Sequence, residues 1–460
     1  MLSSSSTPSS EPHAESTIHQ GAVIAAVSFA LDLTEGQPPG HSLRCAWMGM
    51  QIGLSLGLEE EQQTELLYSL LLKDAGCSSN AARLWELYGN DERLVKHDYK
   101  LVDNQNFLQL ARFVFRESAP QDTLRNRLAR ILYLGRNGDK LATELVQTRC
   151  QRGAQIAKQL GMSDNVAMAI HCLDEQWNGK GRPEGLQGES IPLYSRIALL
   201  AQVMDVFHQT GGRHAALQEV KKRRGTWFDP ALVRVVEKLA VQDKFWEGLQ
   251  EEGLEARVLS LEPIAQRKVL TEDLLDQMAE VFASIVDIKS PYTHNHSQRV
   301  RFYADEVAQE LGFSEGRRRS LRRAALLHDL GKLGVSNHIL DKPGKLDEEE
   351  WAAIRLHPVY TEEVLSRIPG LHTIAKMAGA HHERLDGSGY PNSLHAEQIS
   401  LDTRIVTLAD FFDAITAARP YREAMPLAKA LTIIQNEVGT VIDPECYAAL
   451  HARVHGWGLA

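Results

Sequence analysis

Histidines and carboxylates recur through the second half of the chain as candidate metal ligands: His296, the pair His328-Asp329, His357, the pair His381-His382, and Asp410. Imidazole and carboxylate together form a mixed donor set that suits Fe, Mn or Zn better than an all-oxygen calcium site. A lone histidine in an apolar run such as AALLHDLGKL is more often a core residue with its polarity satisfied locally. Seven such residues on mostly helical segments are another matter. Buried and unpaired they would cost several kcal/mol, which a shared cation offsets. Neighbouring residues on a helix point about 100° apart, so His328 and Asp329 can face different ions, or the carboxylate can bridge two. The stretch HHERLDGSGYP, His381 to Pro391, adds Glu383, Asp386, Gly387 and Gly389, and beyond its opening turn its composition favours neither helix nor strand. It reads as a site loop.

The elements that must position these side chains read as helices. Between Thr17 and Leu72 apolar residues recur at i, i+3 and i+4 in AVIAAVSFALDL and LRCAWMGMQIGLSLGL, with Gly57 placed as a helix stop. Residues 81–161 continue in the same way, with charged faces in FLQLARFVF and LARILYLG, and nothing alternates convincingly with period two. The expected fold class is all-α. Residues 1–16 are rich in Ser and Pro and read as a disordered tail. The charge-rich stretch around Asp243 to Arg267, interrupted by Pro263, reads as an inter-domain connection, partly helical.

The chain repeats itself. GHSLR at 40–44 aligns with NHSQR at 295–299, and LLKDAG at 71–76 with LLHDLG at 326–331, both at an offset of 255. NGKGRP at 178–183 aligns with DGSGYP at 386–391, and Arg196-Ile197 with Arg404-Ile405, both at an offset of 208, so the first copy carries an insertion of 255 − 208 = 47 residues. GTWFDP at 225–230 matches GTVIDP at 439–444. Motif order kept at constant offsets points to duplication. The expected division is a tail (1–16), a first domain (17–240), a linker (241–270) and a second domain (271–460).

At 460 residues the chain is long for one core, and a net charge of −10 argues against binding a nucleic-acid polymer through a basic surface. A small anionic ligand held by a local cluster of cations fits better. The five scattered cysteines contain no C-x-x-C pair, which fits a reducing cytoplasm. No run of 18 apolar residues and no signal-like start is present, so neither a membrane span nor export is expected.

HDLGKL at 328–333, His357-Pro358 and HHERLDGSGYP together resemble the HD-GYP subfamily of HD phosphohydrolases, over about residues 271–454. The resemblance implies an all-helical fold and a two-metal centre, with Fe or Mn as the ions, that hydrolyses a cyclic dinucleotide in bacterial signalling. Cyclic di-GMP is the substrate it first suggests. Cyclic GMP-AMP, or a receptor that does not hydrolyse, are the alternatives. Carried over by position, the metal ligands are His296, His328, Asp329, His357, His381, His382 and Asp410, with Asp329 and Lys332 catalytic. Substrate contacts fall to Lys332, Asp386, Gly389, Tyr390, Pro391, Asp413, Arg419 and Arg422. Lys332, one helical turn after His328, can reach a phosphate oxygen, and the two arginines offer bidentate phosphate contacts. A Glu that precedes the first His by four residues in members with a third metal is Tyr292 here, which favours two ions.

The first copy has Lys73, Arg149, Leu173, Asp174 and Gln202 where the second has His328, His357, His381, His382 and Asp410, and keeps only His41 and Asp74. It cannot build the same centre. A scaffold, a homodimer contact or a site for a signalling partner is the expected role.

Overall fold

The computed structural model describes residues 17–120, 122–290, 295–417 and 424–457. The tail at 1–16, Tyr292, Arg419 and Arg422 lie outside them. Among the described residues the chain is helical with no strand, only isolated bridges such as Asp386 with His395. The expected all-α class is observed.

Matching motifs build matching local structures in the two halves. In GTWFDP and GTVIDP the Asp caps a helix that begins at Pro: Asp229 accepts from Ala231 N, and Asp443 accepts from Glu445 N and Cys446 N. Arg196 donates to Asp229 at 2.8 Å and Arg404 to Asp443 at 2.7 Å, which ties each cap to the helix carrying the arginine. Ser42 donates to Asp32 at 2.6 Å and Ser297 to Asp287 at 2.7 Å, at the 255 offset. Gly76 and Gly331 are each small for a reason of packing. A Cβ on Gly76 would collide with the Arg149 carbonyl and Gly153 N, and one on Gly331 with the His357 carbonyl and Thr361 N. In both halves this glycine lets two segments touch backbone to backbone.

The halves share one continuous apolar core. Its centre is the Gln20–Thr34 helix, apolar nearly all round, with 13 of its 15 residues buried. A helix with no polar face needs cover on every side. It packs on His41–Ser55 and Leu254–Ser260, and also on Leu330–Gly334 and His357–Ser366 of the second half. Thr34 Oγ1 donates across to the Leu333 carbonyl at 3.3 Å. Glu92, fully buried, accepts from Ser336 Oγ at 2.7 Å and faces Lys289 at 3.6 Å.

The stretch expected to be an inter-domain connection is built into this core. Phe245, Trp246, Leu254 and Val258 are buried, Trp47 Nε1 donates to the Phe245 carbonyl at 2.9 Å, and Tyr68 donates to Glu262 at 2.6 Å. The Leu254–Ser260 helix seats its apolar side, Leu254 and Val258, on His41–Ser55.

Candidate metal centre

His296 opens the His296–Glu310 helix, His328 ends the preceding helix Glu315–Leu327, His357 opens His357–Ser366, His381 and His382 follow His372–Gly379, and Asp410 lies within Leu401–Thr416. All seven candidate ligands converge at one place. They form one group of His296, His328 and Asp410 and another of His357, His381 and His382, linked by a third of His328, Asp329 and His381. Within each group the ligand atoms lie within 4.8 Å of one another. Asp329 stands between the first two. Its Oδ2 is 3.4 Å from His296 Nε2 and 3.3 Å from His328 Nε2, and its Oδ1 is 3.5 Å from His357 Nε2. Of the two arrangements open to the adjacent pair, the one in which the carboxylate faces both groups matches this geometry.

The hydrogen bonds fix which nitrogens are free. The Nδ1 atoms of His328, His357 and His381 lie 2.8, 2.7 and 2.6 Å from the carbonyls of Ala325, Ile354 and Ala378, each three residues earlier. A carbonyl only accepts, so each Nδ1 carries the proton and each neutral ring keeps a bare lone pair on Nε2. His296 is oriented in the same way by Asp413, at 2.7 Å. The freed Nε2 atoms face one another: His296 to His328 and His357 to His381, both at 3.3 Å. Among the described residues Asp329 Oδ1 is buried with no hydrogen-bond partner. Opposed lone pairs beside an orphaned carboxylate oxygen repel in isolation and are complementary to cations, so these residues fit divalent metal ions.

The two sides differ electrostatically. Burial disfavours charge on His296, but the carboxylates of Asp329, Asp410 and Asp413 outweigh it and hold its pKa well above the usual histidine value. His328 is also raised, with burial opposed chiefly by Asp329. Burial pushes His357 and His382 down to about 3, with neighbouring imidazoles adding to the effect, and pushes His381 well down too. Burial works against ionisation of Asp329 and Asp410, yet the surrounding imidazoles, joined at Asp329 by the Lys332 ammonium, hold both well below the usual carboxylate range. One side is rich in carboxylate and calls for positive charge. The other is rich in neutral nitrogen ligands.

Other expected residues are placed differently. The helix stops at Leu327 and residues 330–334 form a 3-10 turn, because Gly331 must meet the His357 backbone. Lys332 therefore sits at the rim with its ammonium 2.6 Å from Asp329 Oδ2, and not on a continued α-helical face below His328. Asp413, expected to touch substrate, is 2% exposed behind His296, where it also accepts from Arg299 at 2.6 and 2.9 Å. Its position is that of an orienting group. Gly389 packs against the Glu383 and Arg384 backbone, and Asp386 accepts from Ser388 N and Oγ in an exposed turn. Tyr390 lies over His382, ring centres 4.8 Å apart, with the Arg355 guanidinium 5.6 Å from its ring, and Pro391 follows it.

Several supporting residues escaped the reading by ligand type. Thr361 accepts from Gly331 N and donates to the His328 carbonyl, both at 2.9 Å. Thr407 donates to the His381 carbonyl at 2.8 Å, and Glu383 accepts from Asn392 N and Leu394 N to hold the loop. For Glu383, Arg299 and Asp413 a signal was available: Glu175, Arg44 and Asp205 occupy the equivalent positions of the first half. There His41 Nδ1 lies 2.7 Å from Asp205 and Arg44 donates to it at 2.8 Å, although five of the seven ligand positions have changed. Lys73 instead forms a buried ion pair with Asp74.

The HD domain family matches residues 129–232 and 280–446. A curated relative from Vibrio cholerae serotype O1, named 3'3'-cGAMP-specific phosphodiesterase 3, is 50% identical over 437 residues, which is 95% of each chain. The cyclic di-GMP phosphodiesterase response regulator RpfG of Xanthomonas campestris is 38% identical over 205 residues, 44% of this chain and 54% of that protein. Among solved structures, a cyclic GMP-AMP specific phosphodiesterase of V. cholerae superposes with a TM-score of 0.68 at 46% identity, covering 95% of this chain and 98% of that one.

Proposed function

From the HD domain family, to which this chain belongs as a phosphodiesterase of cyclic dinucleotides, we propose that its substrate is 3'3'-cGAMP and that the second half carries the reaction on two divalent ions, Fe or Mn. The observation that carries the site assignment is the pair of three-residue groups with Asp329 between them and four Nε2 atoms turned inward. His296, His328 and Asp410 would hold one ion, His357, His381 and His382 the other, and Asp329 both. When bound, such ions supply Lewis acidity that acidifies a water and offsets charge on the reacting phosphate. Lys332 brings an ammonium to the rim, where it can donate to a phosphate oxygen while staying paired with Asp329. Tyr390, backed by Arg355, offers a ring face at the same rim for a base.

The substrate choice rests on the relative that matches through both halves of the chain. Cyclic di-GMP is the second reading, favoured by the RpfG match. Purified chain with Mn(II) or Fe(II) should be assayed against 3'3'-cGAMP, cyclic di-GMP and cyclic di-AMP, with linear and mononucleotide products resolved. The highest kcat/KM is expected for 3'3'-cGAMP. Preference for cyclic di-GMP would replace the substrate, and binding without hydrolysis of any of the three would replace the enzyme by a receptor.

The first half is read as a degenerate copy. Leu124, Leu128 and Leu132, exposed by 77, 57 and 60% at a helical spacing, support a partner or second-copy contact there, which sedimentation of the full chain tests. Among the described residues no helix is long and apolar enough to cross a membrane, and all five cysteines are buried and unpaired, which supports the cytoplasmic reading.

A further inference from the structure

A cavity of about 550 Å³ lies in the first half, walled by the helices Glu92–Lys100, Phe107–Glu117 and Leu124–Gln159. Its volume is that of a small-molecule site. Much of the wall is hydrocarbon and aromatic: Leu87, Val95, Leu110, Phe113, Leu134 and Leu145 line it, within two apolar clusters separate from the main core. The charged side chains gather elsewhere on the wall. Glu35 lies 3.2 Å from Lys96 and 2.8 Å from Lys100, and Arg149 pairs with Asp174. Residues 149, 174 and 202 are the ones that align with His357, His382 and Asp410 at the 208 offset, so the polar pole stands where the second half gathers its ligands.

Three further observations point to a ligand. The lining holds four cations (Lys96, Lys100, Arg149, Arg182) against three carboxylates (Glu35, Asp139, Asp174), a surplus of one positive charge. Asn80 and Gln202, 7% and 5% exposed, line the cavity, and each has a side-chain oxygen with no hydrogen-bond partner among the described residues. Gly135 and Gly138 also line it, and a Cβ added to either meets nothing within 4 Å. Glycine is disfavoured inside a helix, and two of them three residues apart set back the same face of the long helix. They keep the space open.

We propose that this cavity binds an amphipathic anion, a long-chain carboxylate, with its headgroup at Lys96, Lys100 and Arg149 and its chain among the leucines and Phe113. An apolar void excludes water and leaves its lining without contacts. A hydrocarbon body fills that void, and a single negative charge matches the surplus carried by the lining. A cyclic dinucleotide fits less well: its two phosphates exceed the single surplus charge, and its base edges would be desolvated against leucines.

The test is titration of the full-length chain with laurate, by displacement of the fluorescent fatty acid cis-parinarate, with dodecanol as the uncharged counterpart. Saturable binding of one laurate per chain is expected. Gly138→Leu fills the space and should weaken binding by at least about tenfold with an unlowered melting temperature, and Lys100→Gln should weaken laurate by about tenfold but leave dodecanol unmoved. The proposal is overturned by unsaturable uptake, by equal loss of acid and alcohol in Lys100→Gln, by unchanged affinity in a folded Gly138→Leu, or by displacement of laurate by a cyclic dinucleotide.

Discussion

Asp413→Asn isolates what an orienting carboxylate does for the metal centre, because the chain contains its own control. Asp413 takes the Nδ1 proton of His296 at 2.7 Å and the guanidinium of Arg299 at 2.6 and 2.9 Å. Asp205 repeats this with His41 at 2.7 Å and Arg44 at 2.8 Å in the half that lacks the other ligands. Asparagine keeps the shape, removes the charge and can present an N–H to the imidazole, which frees the ring to adopt the wrong tautomer. Asp413→Asn and the control Asp205→Asn each weaken a buried charge pair, so both should lower the melting temperature. Arg299 is partly exposed, so its half of that loss is screened and the loss at Asp413 is the smaller. Only Asp413→Asn should loosen metal, by roughly 10- to 100-fold, or about 1.4 to 2.7 kcal/mol, with turnover falling in step. Metal titration followed by mass spectrometry, beside thermal melts of both variants, separates the effects. Equal metal affinity in the two variants would refute the assignment of Asp413 as the group that orients His296.

Lys332→Ala should leave metal content intact and cut turnover by about 10- to 100-fold, the worth of a charge-assisted phosphate contact of roughly 1.5 to 3 kcal/mol, and metal analysis beside steady-state kinetics checks both. Thr361→Val strands Gly331 N and the His328 carbonyl and should destabilise the fold by about 2 kcal/mol in denaturant titration while slowing hydrolysis. Burial raises Asp32 from 3.8 to about 7 despite the opposing Lys73 and Ser42. A group held protonated in the fold stabilises fully below its unfolded pKa and loses that contribution as pH rises through the folded one. Stability should therefore drop by a few kcal/mol between about pH 4 and 7 on this account, and Asp32→Asn should flatten that slope in melts run across the range.

The helical class and the seven candidate ligand types were legible in the chain, since apolar spacing and ligand type are local properties, while their membership of one centre came from the resemblance carried by HDLGKL, His357-Pro358 and HHERLDGSGYP. What eluded the reading depends on contacts between distant segments. Lys332 follows His328 by four residues, yet the close approach of Gly331 to His357, decided by packing, turns the intervening backbone into a 3-10 turn. Phe245, Trp246, Leu254 and Val258 were masked by the charges and Pro263 around them, and their burial follows only once the His41–Ser55 helix offers a surface. Asp413 shares its residue type with a substrate contact. Its partner Asp205, kept in a half without the metal ligands, was the sign that it supports the histidine from behind.

The measurement that tests the metal centre most directly is the ratio of bound metal to chain in the parent protein and in Asp329→Ala. With Asp329 bridging both groups of ligands, the parent should hold about two ions per chain and the variant neither, with hydrolysis of 3'3'-cGAMP lost together with them. A variant that keeps both ions, or a parent whose ions survive loss of Asp329 and disappear on substitution of Asp74 in the first half, would contradict the placement of the centre.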